Sequence, residues 1–178
     1  IIPVIPEPTW TKSLTLWSKK NSVEIIDYSL IKNIEIASGS IGLSVYFDKI
    51  FKTELIKKFE RLCNIHNSPL PKYRGVNPIN WALKNNEKSH GVTLHIVDKG
   101  VDTGDILDQE IFPIDQNMEV SDVYSLCVET GKELLNRNLF LLSSLEPKKQ
   151  NNENASHYTK ADFDQLGDRK YFSRQIPD

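Results

Sequence analysis

Two apolar segments set the strongest limit on how this chain can fold. "GVTLHIVD" (91–98) alternates as a strand does, and "DILDQEIFPI" (105–114) reads as a second strand with Pro113 near its end. Only residues 99–104 lie between them. A parallel crossover needs roughly a dozen residues or more, so the two strands must pair antiparallel. Helices and strands alternate around this pair. "NPINWALKNN" (77–86) reads as a helix with Pro78 in its first turn. Val123, Leu126, Cys127, Leu134 and Leu135 predict a long helix over 121–145, capped by Ser121. Leu55, Ile56, Phe59 and Leu62 predict an earlier helix that starts at Thr53, and "CNIHN" (63–67) follows as a short buried strand. Upstream, "TKSLTLWSKKN" (11–21) reads as a short helix, and "SVEIIDYSL" (22–30) and "IEIASGSI" (34–41) read as strands. "GLSVYFDKIF" (42–51) suits strand or loop. This pattern predicts an α/β fold with a mixed, mostly parallel sheet flanked by helices.

At 178 residues the chain is long enough for one domain with a real core. One domain is expected over 1–145, then a polar, mobile linker over 146–156, then a tail to 178. The tail's Tyr158, Phe163, Tyr171 and Phe172 suit packing on the domain or on a partner, a homodimer being one such arrangement. The chain opens "IIPVIPEPTW", with no initiator Met and three prolines in eight residues, so a preceding portion is expected. The formal net charge of −2 gives no pull towards nucleic acid or an anionic membrane. No apolar run approaches the roughly 18 residues that span a bilayer. Cys63 and Cys127 lie far apart with no metal-type spacing, which predicts a reduced, cytoplasmic setting and no metal site.

The chemistry concentrates in "CNIHNSPLPKYRG" (63–75). Side chains alternate on a strand, so Asn64 and His66 share one face and Ile65 enters the core. Pro69 and Pro71 then restrict the loop, which carries Tyr73, suited to a ring, and Arg74, suited to an anion. Further on, glycines bracket "VDT" in "KGVDTGD" (99–105). If the strands holding Asn64 and residues 91–98 are neighbours, this turn brings Asp102 to His66. An amide, an imidazole and a carboxylate would then converge, a set suited to acyl transfer. Taken singly, Asn-X-His also suits an ordinary strand and Asp-Thr-Gly an ordinary turn, and His90 and His95 read as strand or surface residues.

Residues 64–107 resemble the core of the N10-formyltetrahydrofolate-dependent formyltransferases. Asn-X-His, Leu-Pro-X-X-Arg-Gly, Gly-Val-Thr and Asp-Thr-Gly-Asp occur together, and Asn-Ser-Pro-Leu-Pro with "GVNPINWALKN" is most like the sugar-nucleotide branch. The resemblance implies a Rossmann-like formyltransferase fold whose catalytic Asn, His and Asp are Asn64, His66 and Asp102. It implies N10-formyltetrahydrofolate as co-substrate, without metal, held by Ser44, Val45, Tyr46 and Phe47 and by Ile96, Val97, Asp98, Gly100 and Val101. Pro69, Lys72, Tyr73, Arg74 and Asn77 would meet the acceptor, the primary amine of a nucleotide-linked amino sugar such as a dTDP-amino-dideoxyhexose. A methionyl-tRNA formyltransferase-like activity and a binding or regulatory module without turnover are the alternatives. The family's opening strand and glycine turn are not found before residue 34, so the first strands of the sheet are expected to be missing.

Overall fold

The computed structural model describes residues 1–3, 7, 12–47 and 49–167. Its strands are β1 (Ile41–Val45), β2 (Arg61–His66), β3 (Arg74–Gly75), β4 (Ser89–Ile96), β5 (Ile106–Pro113) and β6 (His157–Tyr158). One sheet has the order β1-β2-β4-β5, and β3 and β6 form a small parallel ribbon. β4 and β5 pair antiparallel, as their short connection requires. The sheet is mixed, but the expected preponderance of parallel pairs is corrected. Among its described strands β1–β2 is parallel, whereas β2–β4 and β4–β5 are antiparallel.

The helices are α1 (Leu14–Lys20), α2 (Thr53–Ile56), α3 (Pro78–Lys84) and α4 (Val120–Asn138). α4 lies on the sheet and drives Val123, Cys127 and Leu134 against Cys63, Ile65, Val92 and Leu94. These side chains are buried, so their apolar surface is withdrawn from water. Gly131 sits where the helix meets the sheet, so that a Cβ there would lie 3.7 Å from Ile65 and 3.8 Å from Val92. Cys63 and Cys127 are free thiols inside this core.

Several local expectations are corrected. The stripe starting at Thr53 makes a single helical turn, because Glu60 N–H donates to the Ser40 carbonyl at 3.0 Å and draws the chain into the β1–β2 pairing. Leu62 therefore packs from a strand and not from a helix. The strand expected at 22–30 is absent. Asp27 accepts from Ser29 N–H at 2.7 Å and caps a 3-10 helix over Tyr28–Asn33. Pairing in the next segment begins only at Ile41. α4 is capped by Glu119, not Ser121, through a reciprocal capping box with Asp122, and ends at Asn138 before a 3-10 turn.

The polar stretch after α4 is bound to the domain. Lys148 and Ile106 exchange backbone hydrogen bonds, both 2.8 Å. Tyr158 stacks on Trp81 at 4.1 Å between ring centres, and Leu166 closes a second small core with Tyr73 and Ala82. The expected packing of the tail aromatics is seen for Tyr158 and Phe163, while Tyr171 and Phe172 lie outside the described residues. So do residues 4–6 and 8–11 of the proline-rich opening. Among the described residues no helix is long and apolar enough to cross a membrane.

Candidate active site

β2 divides core from cleft by strand alternation. Ile65 is buried in the main core, while Asn64 and His66 line a cavity of about 530 Å³. The antiparallel register sets Asn64 opposite His95 and His66 opposite Thr93 on β4. The chain leaving β4 then folds back through Asp102, whose φ of 53° is left-handed. Gly104 permits this turn, since a Cβ there would fall 1.8 Å from the Ile96 carbonyl oxygen. The result is that Asp102 Oδ2 stands 3.6 Å from His66 Nδ1, and Oδ1 stands 3.6 Å from His95 Nε2.

The third support for Asp102 is Gly75 N–H, which donates to Oδ2 at 2.8 Å. Gly75 has φ 90°, and a Cβ there would lie 2.0 Å from the Tyr158 carbonyl oxygen, so glycine is required where β3 meets β6.

Backbone carbonyls can only accept, and this settles both imidazole tautomers. His66 Nε2–H donates to the Tyr73 carbonyl at 2.9 Å, which leaves Nδ1 as the ring's basic atom, facing Asp102. His95 Nδ1–H donates to the Ile96 carbonyl at 2.8 Å, so its Nε2 accepts from the Asn64 amide at 3.1 Å. Burial, and then the nearby His66, hold His95 well below the ordinary histidine range, which keeps it the neutral acceptor. Asn64 thus has one N–H committed to His95 and a second available to a ligand. Nearby, Tyr46 O–H donates to Asn67 Oδ1 at 2.7 Å, and burial pushes its phenol well above the usual value.

Of the residues expected to hold the co-substrate, Ser44, Tyr46, Phe47, Val97, Asp98, Gly100 and Val101 line the cavity, whereas Val45 and Ile96 do not. Phe47 stacks on Phe51 at 5.3 Å and 14°, which gives this end an aromatic wall. The five acceptor-side residues are not brought to the cavity. Pro69 leads into the tight turn that ends in the cis Leu70–Pro71 bond, where Leu70 N–H is bonded to Thr93. Lys72 and Tyr73 both bind Glu87, at 3.1 and 2.8 Å. Arg74 is buried and donates to Gln150 and Asn152, and Asn77 takes φ 54° at the start of α3. Their side chains hold the shape of the loop. Gly75, Val76 and Pro78, with residues 157–160, form that wall instead.

Sequence reasoning missed His95, which it treated as a strand residue. The available signal was its register: with β2 and β4 as antiparallel neighbours, a histidine at 95 faces Asn64. Among the described residues no group of three or more His, Cys, Asp or Glu could hold a metal ion.

Comparisons with known proteins bear on the family and the fold. The sequence profile of the formyl transferase family matches residues 11–139. Methionyl-tRNA formyltransferase of Caldanaerobacter subterraneus is 39% identical over 143 residues, covering 79% of this chain and 45% of that protein. The Clostridium tetani enzyme of the same name is 34% identical over 139 residues, covering 76% of this chain and again 45% of the relative. The chain thus spans about half the length of the curated relatives it matches. Among solved structures, WlaRD, a sugar 3N-formyl transferase crystallised with dTDP and 5-N-formyl-THF, superposes with a TM-score of 0.81 at 35% identity, over 90% of this chain and 59% of that one. An N-formyltransferase from Helicobacter canadensis, in complex with folinic acid and dTDP-3-aminofucose, gives 0.78 at 35% identity, over 87% of this chain and 57% of its own. With a profile match over most of its length and the fold to go with it, this chain belongs to the formyl transferase family.

Proposed function

We propose that this chain carries the catalytic centre of an N-formyltransferase, which moves a formyl group from N10-formyltetrahydrofolate to the primary amine of a nucleotide-linked amino sugar. The observation that carries the reading is the convergence of Asn64, His66 and Asp102 in one cleft, with an aromatic wall at one end. N10-formyltetrahydrofolate supplies an activated formyl group on a nitrogen that can leave. The stacked Phe47 and Phe51, with Val97 just past β4 and Val101 in the loop that follows, suit a flat heterocycle.

The chain's own groups divide the work. His66 Nδ1 takes the proton that the attacking amine sheds and returns one to the leaving nitrogen, so no net proton is lost. Asp102, 3.6 Å away, stabilises the imidazolium between these two steps. The free N–H of Asn64 donates to the oxygen on which negative charge develops. His95 holds Asn64 in the orientation for that donation.

The acceptor is read as a dTDP-linked amino-dideoxyhexose. Two solved relatives of 35% identity were captured with dTDP or a dTDP-amino sugar, and the chain has a net charge of −2 without a basic run for a polynucleotide. One observation favours a second reading, transfer to an aminoacyl-tRNA: the curated relatives quoted above are methionyl-tRNA formyltransferases. Calorimetry separates the two. Binding of a dTDP-amino sugar with little salt dependence supports the proposal. Tight binding of methionyl-tRNA with a steep salt slope, and none of the sugar nucleotide, overturns it.

A further inference from the structure

The stretch after α4 reads as a linker, yet it reaches the backbone behind Asp102. Gln150 Nε2 donates to the Asp102 carbonyl at 2.9 Å and to the Gly104 carbonyl at 2.7 Å. Its Oε1 accepts two bonds from Arg74, at 3.1 Å from Nε and 2.7 Å from the terminal nitrogen. Arg74 is buried, and its charge is further satisfied by Asn152 at 2.8 Å. The next residue, Gly75, supplies the N–H that holds the Asp102 carboxylate. Gln150 itself does not line the cavity, and the Lys148–Ile106 bridge two residues earlier fixes it to the sheet.

One amide therefore joins two loops. Its nitrogen grips the left-handed turn that presents the carboxylate, and its oxygen grips the arginine next to the backbone donor that the carboxylate needs. Both donors of the Gln150 amide and the lone pairs of its oxygen are used, so few other side chains could replace it.

We propose that Gln150 is a positioning residue for Asp102, holding its carboxylate in register with His66 Nδ1 and Gly75 N–H. The proposal rests on the formyl-transfer reading only for its kinetic arm. The titratable and charged groups that face His66 are Asp102, His95 and, further off, His90. Displacing the Asp102 carboxylate removes its stabilisation of the His66 imidazolium.

The test uses the full chain with Gln150→Glu, which keeps an acceptor for Arg74 but loses both donations, and Gln150→Met, which adds no charge. In a formyl-transfer assay, both variants lower kcat by roughly 10- to 100-fold, the scale of a small misplacement of a catalytic group. KM for either substrate stays near wild type, and the melting temperature falls only modestly, through the partners lost to Arg74 and the two carbonyls. In a parallel hydrogen-exchange measurement, the Gly75 amide, which the Asp102 carboxylate holds at 2.8 Å, exchanges faster in Gln150→Met than in the wild type. Unchanged kcat with an unchanged Gly75 exchange rate overturns the proposal. So does a fall in melting temperature with kcat and KM affected together, which marks a merely structural role. If the wild type transfers no formyl group, the formyl-transfer reading fails, and the Gly75 exchange rate alone decides the role of Gln150.

Discussion

The Asn64 amide donates to His95 Nε2 at 3.1 Å across the β2–β4 register, and a backbone carbonyl sets the tautomer that lets His95 accept. The amide is thereby oriented by a neutral, buried histidine. Substituting His95 by Phe keeps much of the bulk and removes the acceptor. Turnover is expected to fall by about 10-fold or more, since a donor to a developing oxyanion loses its aim. Folate affinity, measured by calorimetry, should hold. Full turnover in that variant would remove His95 from the account.

His66 and Asp102 face each other at 3.6 Å, with the other His66 nitrogen bound to a carbonyl. His66→Asn and Asp102→Asn should each reduce kcat by roughly 10²-fold or more, the scale of proton-transfer groups. Both residues line a cleft and not the main core, so thermal melting should show a folded protein. Near wild-type turnover in Asp102→Asn would contradict the assignment.

His90 is fully buried, its Nε2–H donates to the Asn67 carbonyl at 2.8 Å, and no partner is found for its Nδ1 among the described residues. Burial lowers it from 6.5 to about 4. The folded state therefore resists a proton that the unfolded state accepts below pH 6.5, so stability falls as the pH drops from 6.5 to about 4 and levels off below that. This one group contributes a slope of up to about 1.4 kcal/mol per pH unit. Denaturant melts across that window should show the loss, and His90→Gln should flatten it. An equal slope in the variant would assign the effect elsewhere.

Gly131 lies inside α4, where a methyl group would meet Ile65 and Val92 at 3.7 and 3.8 Å, ordinary contact distances. Gly131→Ala should then gain most of the helix-propensity difference, about 1 kcal/mol, and raise the melting temperature. A lower melting temperature would show that α4 cannot accept the methyl group where it crosses the sheet.

Much of the site was legible because its signals are local. Asn64 and His66 share a face through strand alternation alone, and the glycines around Asp102 announce a tight turn. The antiparallel β4–β5 pair followed from its short connection. What was not legible depends on distant partners. His95 gains its role only from its register with Asn64, and Gln150 only from a chain that returns past Ile106. Arg74 looked like an anion receptor, but burial beside Gln150 uses its guanidinium inside the protein. The Thr53 stripe failed for a related reason: pairing of β2 with β1 outweighs the helical period that Leu62 would extend.

The most direct test of the account is formyl transfer itself. The protein is incubated with N10-formyltetrahydrofolate and a panel of nucleotide-linked amino sugars, and the products are read by mass spectrometry. The account predicts a gain of one formyl group on a dTDP-amino sugar with the wild type, reduced by roughly 10²-fold or more with His66→Asn. No formyl gain on any amino sugar, with formylation of methionyl-tRNA by the same preparation, would contradict it.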